Sequence, residues 1–181
     1  MNNEEILVVR KNGPLKGEVY ISGAKNSALP ILAASLLASE EVILDEVPKL
    51  KDIEVMVEIL RSLNAKVDYL TETTLKIDSS NVNKFETPFE LMDKMRASFI
   101  VMGPLLSKFG HAVTKAPGGC NIGKRPIDLH LKGFEALGAK TTMNHEEISS
   151  KAKNGLKGEV IYLDFPSVGA TENIMMAATL A

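Results

Sequence analysis

The run Leu15-Lys16-Gly17-Glu18-Val19 occurs a second time as Leu156-Lys157-Gly158-Glu159-Val160. A repeat constrains a fold more tightly than local propensity does, because every copy must fold alike and bury its apolar face on its neighbours. The likeness extends downstream of both copies. Gly23-Ala24 precedes an Asn and an apolar helix, and Gly169-Ala170 precedes Asn173-Ile174-Met175-Met176-Ala177-Ala178. A more divergent copy lies between them. Leu36-Leu37, a turn, Val42-Ile43-Leu44 and Pro48 align with Leu105-Leu106, a turn, His111-Ala112-Val113 and Pro117 at an offset of about seventy residues. Leu60-x-x-Leu63-Asn64-Ala65-Lys66 aligns with Phe134-x-x-Leu137-Gly138-Ala139-Lys140 at nearly the same offset.

The repeated unit reads strand, helix, strand, helix, strand. Ile53, Met56, Val57, Leu60 and Leu63 recur at three- and four-residue steps and predict a helix that stops before Asn64. Leu129, Phe134 and Leu137 sketch the same face in the second copy, with Gly138 as the stop. A helix is also expected over 89–109, with Met92, Met95, Phe99 and Met102 on its buried side. Strands are expected at Val19-Tyr20-Ile21, Val42 to Leu44, Val67 to Ile77 with a turn near Thr71-Glu72-Thr73, Ala112-Val113-Thr114 and Val160 to Phe165. The alternation predicts an α/β domain of stacked units, roughly 15–83, 84–155 and 156–181. The last residues, Ile174 to Ala181, are apolar helix without a polar cap or glycine stop, which predicts a third unit that breaks off after its first strand and helix.

The sole cysteine lies in Pro117-Gly118-Gly119-Cys120-Asn121-Ile122-Gly123-Lys124-Arg125-Pro126-Ile127-Asp128, where chemistry is expected. Glycines admit close backbone approach, and the fixed φ of Pro126 suits the first position of a helix. A helix N-terminus beside Lys124 and Arg125 is suited to an anion, and the two cations favour the thiolate of Cys120. A lone cysteine elsewhere serves as a small core hydrophobe, but glycine, Asn121 and two cations are not core neighbours.

Composition excludes several classes. A net charge of −2 with no stripe of Lys and Arg gives no basis for nucleic-acid binding. One cysteine excludes an internal disulfide. The start, Met1-Asn2-Asn3-Glu4-Glu5, has no cationic n-region, and the longest apolar stretch, Ala28 to Ala38, is interrupted by Pro30 and Ser35. A cytoplasmic protein without membrane contact is expected. His111, His130 and His145 have no metal-ligand spacing, His145-Glu146-Glu147 reads as an exposed loop, and the methionines read as core filler.

Four segments then carry a specific resemblance. They are Ser22-Gly23-Ala24-Lys25-Asn26-Ser27-Ala28-Leu29-Pro30, Met95-Arg96-Ala97-Ser98, the cysteine loop through His130, and Ser167-Val168-Gly169-Ala170-Thr171-Glu172-Asn173. In this order they resemble the signatures of the UDP-N-acetylglucosamine enolpyruvyl transferases, a bacterial family. The resemblance implies two similar domains, each an inside-out barrel of three βαβαββ units around a helical core, with the active site in the cleft between them. This chain would be less than half of such an enzyme: the first domain, truncated in its third unit, with residues 1–14 supplying a strand (Ile6-Leu7-Val8-Val9-Arg10) to the absent second domain. Without that partner, the strand is expected to be disordered or to pair with another chain, and the uncovered apolar helix predicts self-association.

The implied reaction transfers the enolpyruvyl group of phosphoenolpyruvate to the 3-hydroxyl of UDP-N-acetylglucosamine, in peptidoglycan synthesis, and needs no cofactor or metal; the alternatives are a shikimate-pathway enolpyruvyl transferase and a non-catalytic UDP-sugar-binding module. By resemblance Cys120 protonates phosphoenolpyruvate and is the residue alkylated by fosfomycin. Lys25 and Arg125 match positions binding its phosphate and carboxylate, and Asn26 lies at the same end of the site. Arg96 matches a contact to the nucleotide sugar. The backbone run Arg125-Pro126-Ile127-Asp128-Leu129 and the segment Ser167-Val168-Gly169 match the UDP-sugar surface. Plainer readings stay open: Lys25 as a solvated first-turn residue, Arg96 as a surface charge, Asp128 as a complement to the helix dipole. The sequence departs from the pattern at Phe165-Pro166, where some members carry a nucleotide-facing lysine. The carboxylate base and a further arginine that the family draws from its second domain are not in this chain.

Overall fold

The computed structural model describes residues 6–115, 127–144 and 147–181, and for Arg96 and Ala97 the backbone alone. The first unit runs α1 (Lys25–Ala34), a 3-10 turn (Ser35–Leu37), β1 (Val42–Leu44), α2 (Lys51–Ser62), β2 (Lys66–Tyr69) and β3 (Leu75–Asp78). The second runs α3 (Phe89–Lys94), a 3-10 stretch (Arg96–Val101), α4 (Met102–Phe109), β4 (His111–Lys115), α5 (Asp128–Ala136), β5 (Lys140–Asn144) and β6 (Glu147–Lys151). A single helix of the third unit, α6 (Val168–Ala178), follows.

Each unit folds its strands into a three-stranded sheet, ordered β1-β3-β2 and β4-β6-β5, with every neighbouring pair antiparallel. The two outer strands of each sheet are therefore parallel, and α2 or α5 crosses between them. The registers Val42↔Ile77 and Ala112↔Ser150 occupy matching places in the two sheets. The repeat in sequence is thus a repeat in topology.

The two crossover helices end alike. In α2, the Asn64 N–H donates to the Arg61 carbonyl at 3.0 Å and the Ala65 N–H to Leu60 at 3.0 Å, with Asn64 at φ 73°. In α5, the Gly138 N–H donates to Glu135 at 2.9 Å and the Ala139 N–H to Phe134 at 3.0 Å, with Gly138 at φ 95°. This paired-bond stop needs a left-handed residue, which Asn and Gly tolerate best. Ile53, Met56, Val57, Leu60 and Leu63 are buried as their spacing requires, and so are Leu129, Phe134 and Leu137.

Three local expectations are corrected. The span 89–109 is not one helix: Met95 is extended (φ −143°, ψ 118°), and 3-10 geometry follows before α4 begins. Pro104 cannot donate to the carbonyl four residues back, so a continuous α-helix through it is disfavoured, whereas the third position of α4 needs no donor. The expected buried side survives the break, since Met92, Met95, Phe99 and Met102 all face the core.

Val19-Tyr20-Ile21 and Val160 to Phe165 form no strand, and Val19, Tyr20, Ile21 and Val160 are each more than four-fifths exposed. A strand requires ladder partners, and neither segment has one among the described residues. The second unit keeps a remnant of the corresponding pairing. There Glu86 bridges Val113 in parallel, with the Val113 N–H donating to Phe85 at 2.8 Å and the Thr87 N–H to Val113 at 3.1 Å. Conversely, the hairpin strands β5 and β6 were not among the expected strands. Of the expected loop, Glu147 instead opens β6, while His145 and Glu146 lie outside the described residues. Among the described residues α5 starts at Asp128 with Ile127 at its N-cap, and Pro126, the expected first residue, lies outside them.

The core is continuous across units. α1 packs on α2, and α6 packs on α4 and α5. Helix α6 comes close because glycines face it. A Cβ on Gly133 would lie 2.2 Å from the Ile174 Cδ1, and one on Gly103 would lie 2.3 Å from the Asn173 carbonyl oxygen. Ile6, Leu7, Val8 and Val9 are exposed and unpaired. No helix among the described residues is long and apolar enough to cross a membrane.

Candidate functional site

Two pairs of helix N-termini carry the described candidates. At the first pair, Lys25 opens α1 and Asp52 lies in the first turn of α2. The Lys25 Nζ donates to the Asp52 Oδ2 at 2.8 Å, with side-chain exposures of 44% and 34%. A carboxylate suits the positive end of α2, and α1 has no acidic residue in its own first turn. The ammonium is therefore held by Asp52 beside the start of α2. Asn26, next along α1, is exposed.

At the second pair, α5 and α6 start side by side. Asp128 is exposed in the first turn of α5, Leu129 turns its side chain into the core, and Ile127 is half-buried. Ser167 caps α6, its Oγ accepting from the Ala170 N–H at 3.3 Å, and Val168 is 75% exposed. A Cβ on Gly169 would lie 3.7 Å from the His130 Cε1 and 3.9 Å from its Nε2. The segments 127–130 and 167–169, separated in sequence, thus form one edge. Leu129 can offer only its backbone there.

Beneath this edge lies a buried polar junction. The Asn173 Oδ1 accepts from the Gly103 N–H at 2.7 Å, and its Nδ2 donates to the Phe99 carbonyl at 3.1 Å and to the His130 Nδ1 at 3.0 Å. The His130 ring meets Phe99 edge-on at 5.1 Å. Burial pushes the His130 imidazole down to about 4, so the ring is neutral near pH 7.

Cys120, Arg125 and Pro126 lie outside the described residues, between β4 and Ile127. Arg96 starts the 3-10 stretch, and its side chain is likewise not described. Among the described residues, no cluster of three or more His, Cys, Asp or Glu could hold a metal. Asp52, His130 and Asn173 are the groups that sequence reasoning did not place in a site. Asp52 leaves no signal in the sequence, because an acid in the first turn of a helix is favoured there without any partner. Asn173 did leave a signal, as a polar residue flanked at helical spacing by Ala170, Ile174 and Ala177.

The family model for EPSP synthase (3-phosphoshikimate 1-carboxyvinyltransferase) matches residues 9–181. The chain belongs to that family. Among EPSP synthase family relatives, it is 62% identical over 177 residues to UDP-N-acetylglucosamine 1-carboxyvinyltransferase of Finegoldia magna, covering 98% of this chain and 42% of that protein. It is 59% identical over 174 residues to UDP-N-acetylglucosamine 1-carboxyvinyltransferase 1 of Caldanaerobacter subterraneus, covering 96% of this chain and 41% of the relative. The chain thus spans about two fifths of the length of these relatives.

The fold is that of the enolpyruvyl transferases. The enolpyruvyl transferase NikO from Streptomyces tendae superposes with a TM-score of 0.76 at 24% identity, covering 90% of this chain and 38% of that one. EPSP synthase from Acinetobacter baumannii gives 0.67 at 16% identity, covering 89% and 37%.

Proposed function

We propose that this chain is the N-terminal part of a UDP-N-acetylglucosamine 1-carboxyvinyltransferase, which transfers the enolpyruvyl group of phosphoenolpyruvate to the 3-hydroxyl of the sugar at the first committed step of peptidoglycan synthesis. The observation that carries this reading is the 62% identity, over 98% of the chain, with a relative of that name. On this reading residues 15–181 form an incomplete first domain and residues 1–14 a strand for a second, the enzyme is cytoplasmic, and no cofactor takes part.

The reaction is an addition followed by an elimination. Carbon 3 of phosphoenolpyruvate gains a proton, the sugar oxygen bonds to carbon 2 and loses its own proton, and phosphate then departs as a proton leaves carbon 3. Cys120 supplies the first proton from a glycine-rich cationic loop, where its thiol can be tuned toward neutral pH. Lys25 and Arg125 bind the phosphate and carboxylate of phosphoenolpyruvate, with Asn26 beside them. Arg96, the backbone of Arg125, Pro126, Ile127, Asp128 and Leu129, and the segment Ser167, Val168 and Gly169 bind the nucleotide sugar. The Lys25–Asp52 pair supports this assignment, since it keeps the ammonium beside helix N-termini, where an anion is favoured.

Mass spectrometry after exposure to fosfomycin with UDP-N-acetylglucosamine tests loop, sugar site and function together. Modification at Cys120 is expected, and an unmodified Cys120 would overturn the reading. The second reading, 3-phosphoshikimate as acceptor, is favoured by the description of the family model. A cysteine between Gly119 and Asn121 speaks against it, because shikimate-pathway enolpyruvyl transferases do not use a loop cysteine. Titration with UDP-N-acetylglucosamine against shikimate 3-phosphate separates the two. With both substrates supplied, appreciable release of phosphate from phosphoenolpyruvate by this chain alone is not expected, because half a cleft neither orients two substrates nor excludes water.

A further inference from the structure

We infer that Asn173 is a positioning residue: through its bond to Nδ1 it holds His130 in one tautomer, with the Nε2–H presented beside Gly169 as a neutral donor to an oxygen of a bound nucleotide sugar. The inference rests on the functional reading above, and it concerns how that sugar edge is built.

Two backbone groups of fixed polarity decide the orientation of the amide. The Gly103 N–H can only donate and the Phe99 carbonyl can only accept, so the oxygen of Asn173 must face Gly103 and its nitrogen Phe99. The same nitrogen faces the His130 Nδ1 at 3.0 Å. Nδ1 must therefore accept, and a neutral imidazole that accepts at Nδ1 carries its proton on Nε2. Burial, which lowers the proton affinity of His130, keeps the ring neutral and so preserves this choice.

Geometry supplies the direction. Asn173 is fully buried, and the ring of His130 is also held edge-on by Phe99, so neither group can turn freely. The Nε2 edge lies beside Gly169, where the first turn of α6 meets the first turn of α5. Among the described residues, no acceptor bonds to Nε2. Gly103 is part of the device, because any side chain there would collide with the Asn173 amide oxygen, 2.4 Å from the position of a Cβ. A packing amide needs none of this alignment. It needs only satisfied hydrogen bonds, which Phe99 and Gly103 already supply.

The test uses the 181-residue chain with histidine rings labelled by nitrogen-15. Long-range nitrogen–proton correlation is expected to show the proton of His130 on Nε2 in the wild type, and a mixture of tautomers in Asn173→Ala. Calorimetric titration with UDP-N-acetylglucosamine is expected to show affinity weakened about three- to tenfold in Asn173→Ala, as for the loss of one neutral hydrogen bond. In a His130→Phe background, the same substitution should weaken it no further, because Asn173 acts through His130.

Should Asn173→Ala fail to fold, Asn173→Asp has the same shape and keeps the Gly103 bond while losing the one to Phe99; it makes Nδ1 donate, so a neutral ring carries no proton on Nε2 and binding should also weaken. A wild-type ring protonated on Nδ1, equal affinity in wild type and variant, or full additivity in the double variant would each overturn the proposal. A wild-type chain that ignores the sugar overturns the functional reading instead, and is told apart because the defect precedes any substitution.

Discussion

Replacing Gly103 and Gly133 by alanine, one at a time, should separate two kinds of close contact between the second and third units. Both glycines lie in helices, where alanine is intrinsically favoured by up to about 1 kcal/mol. Packing opposes that gain. At Gly103 the new Cβ would sit 2.3 Å from the Asn173 carbonyl oxygen and 2.4 Å from its Oδ1. The first atom is backbone and the second belongs to a buried amide with three bonds, so relief requires α6 to withdraw or Asn173 to abandon its partners. Overpacking costs about 1–3 kcal/mol and unsatisfied buried polar groups about 1–3 kcal/mol more. Set against the propensity gain, Gly103→Ala should destabilise by about 2–4 kcal/mol. At Gly133 the Cβ would meet the Ile174 Cδ1 and Cγ1, at 2.2 and 2.3 Å, which are the far end of a side chain. Gly133→Ala should cost about 1 kcal/mol, and Ile174→Ala should remove that clash, so that the double variant is more stable than the two losses summed. Urea unfolding followed by circular dichroism measures the four variants against the wild type. A Gly103→Ala midpoint at or above wild type would refute the claim that helix separation is set by backbone contact at Asn173.

Further outcomes follow from the same contacts. His130 has its proton affinity lowered on folding, to about 4 from 6.5, so the unfolded chain takes up the proton first as pH falls. Stability is therefore fully present above pH 6.5 and declines toward pH 4, by at most about 1.4 kcal/mol per pH unit from this residue; urea midpoints at pH 7 and 5 should differ less in His130→Phe. Asp52→Asn removes a pair whose partners are 44% and 34% exposed, and should change stability by less than about 1 kcal/mol in urea unfolding. Ser167→Ala deletes the side-chain cap of α6 and should cost about 1 kcal/mol by the same assay. The exposed apolar side chains Ile31, Met175 and Leu180 favour self-association, so sedimentation velocity should show mass rising with concentration.

Much of the architecture was legible in the residues because it depends on local periodicity and on repetition. The spacing of Ile53, Met56, Val57 and Leu60 chose the buried face of α2, and Asn64 and Gly138 marked helix stops that need a left-handed residue. Alignment of one unit on the next matched β1 to β4 and α2 to α5, but it did not reach the hairpin of β5 and β6. Of the candidate site, the segments at Lys25, Ile127 and Ser167 were legible as motifs, and the resemblance put Ile127 and Ser167 on one surface, but the partners Asp52 and Asn173 were not legible.

Tertiary structure alone decided the rest. Whether Val19 to Ile21 became a strand depended on a partner for its ladder, and an apolar alternation cannot supply its own neighbour. The polar β5, with no buried residue, became a strand because β6 lay beside it. Asp52 reached Lys25 across 27 residues, and Asn173 reached His130 across 43, through the packing of helices whose apolar faces were readable but whose polar residues were not. The physical reason is one of range. Sequence specifies which face of each element avoids water, whereas hydrogen bonds and ion pairs form only where packing brings two such elements within about 3 Å.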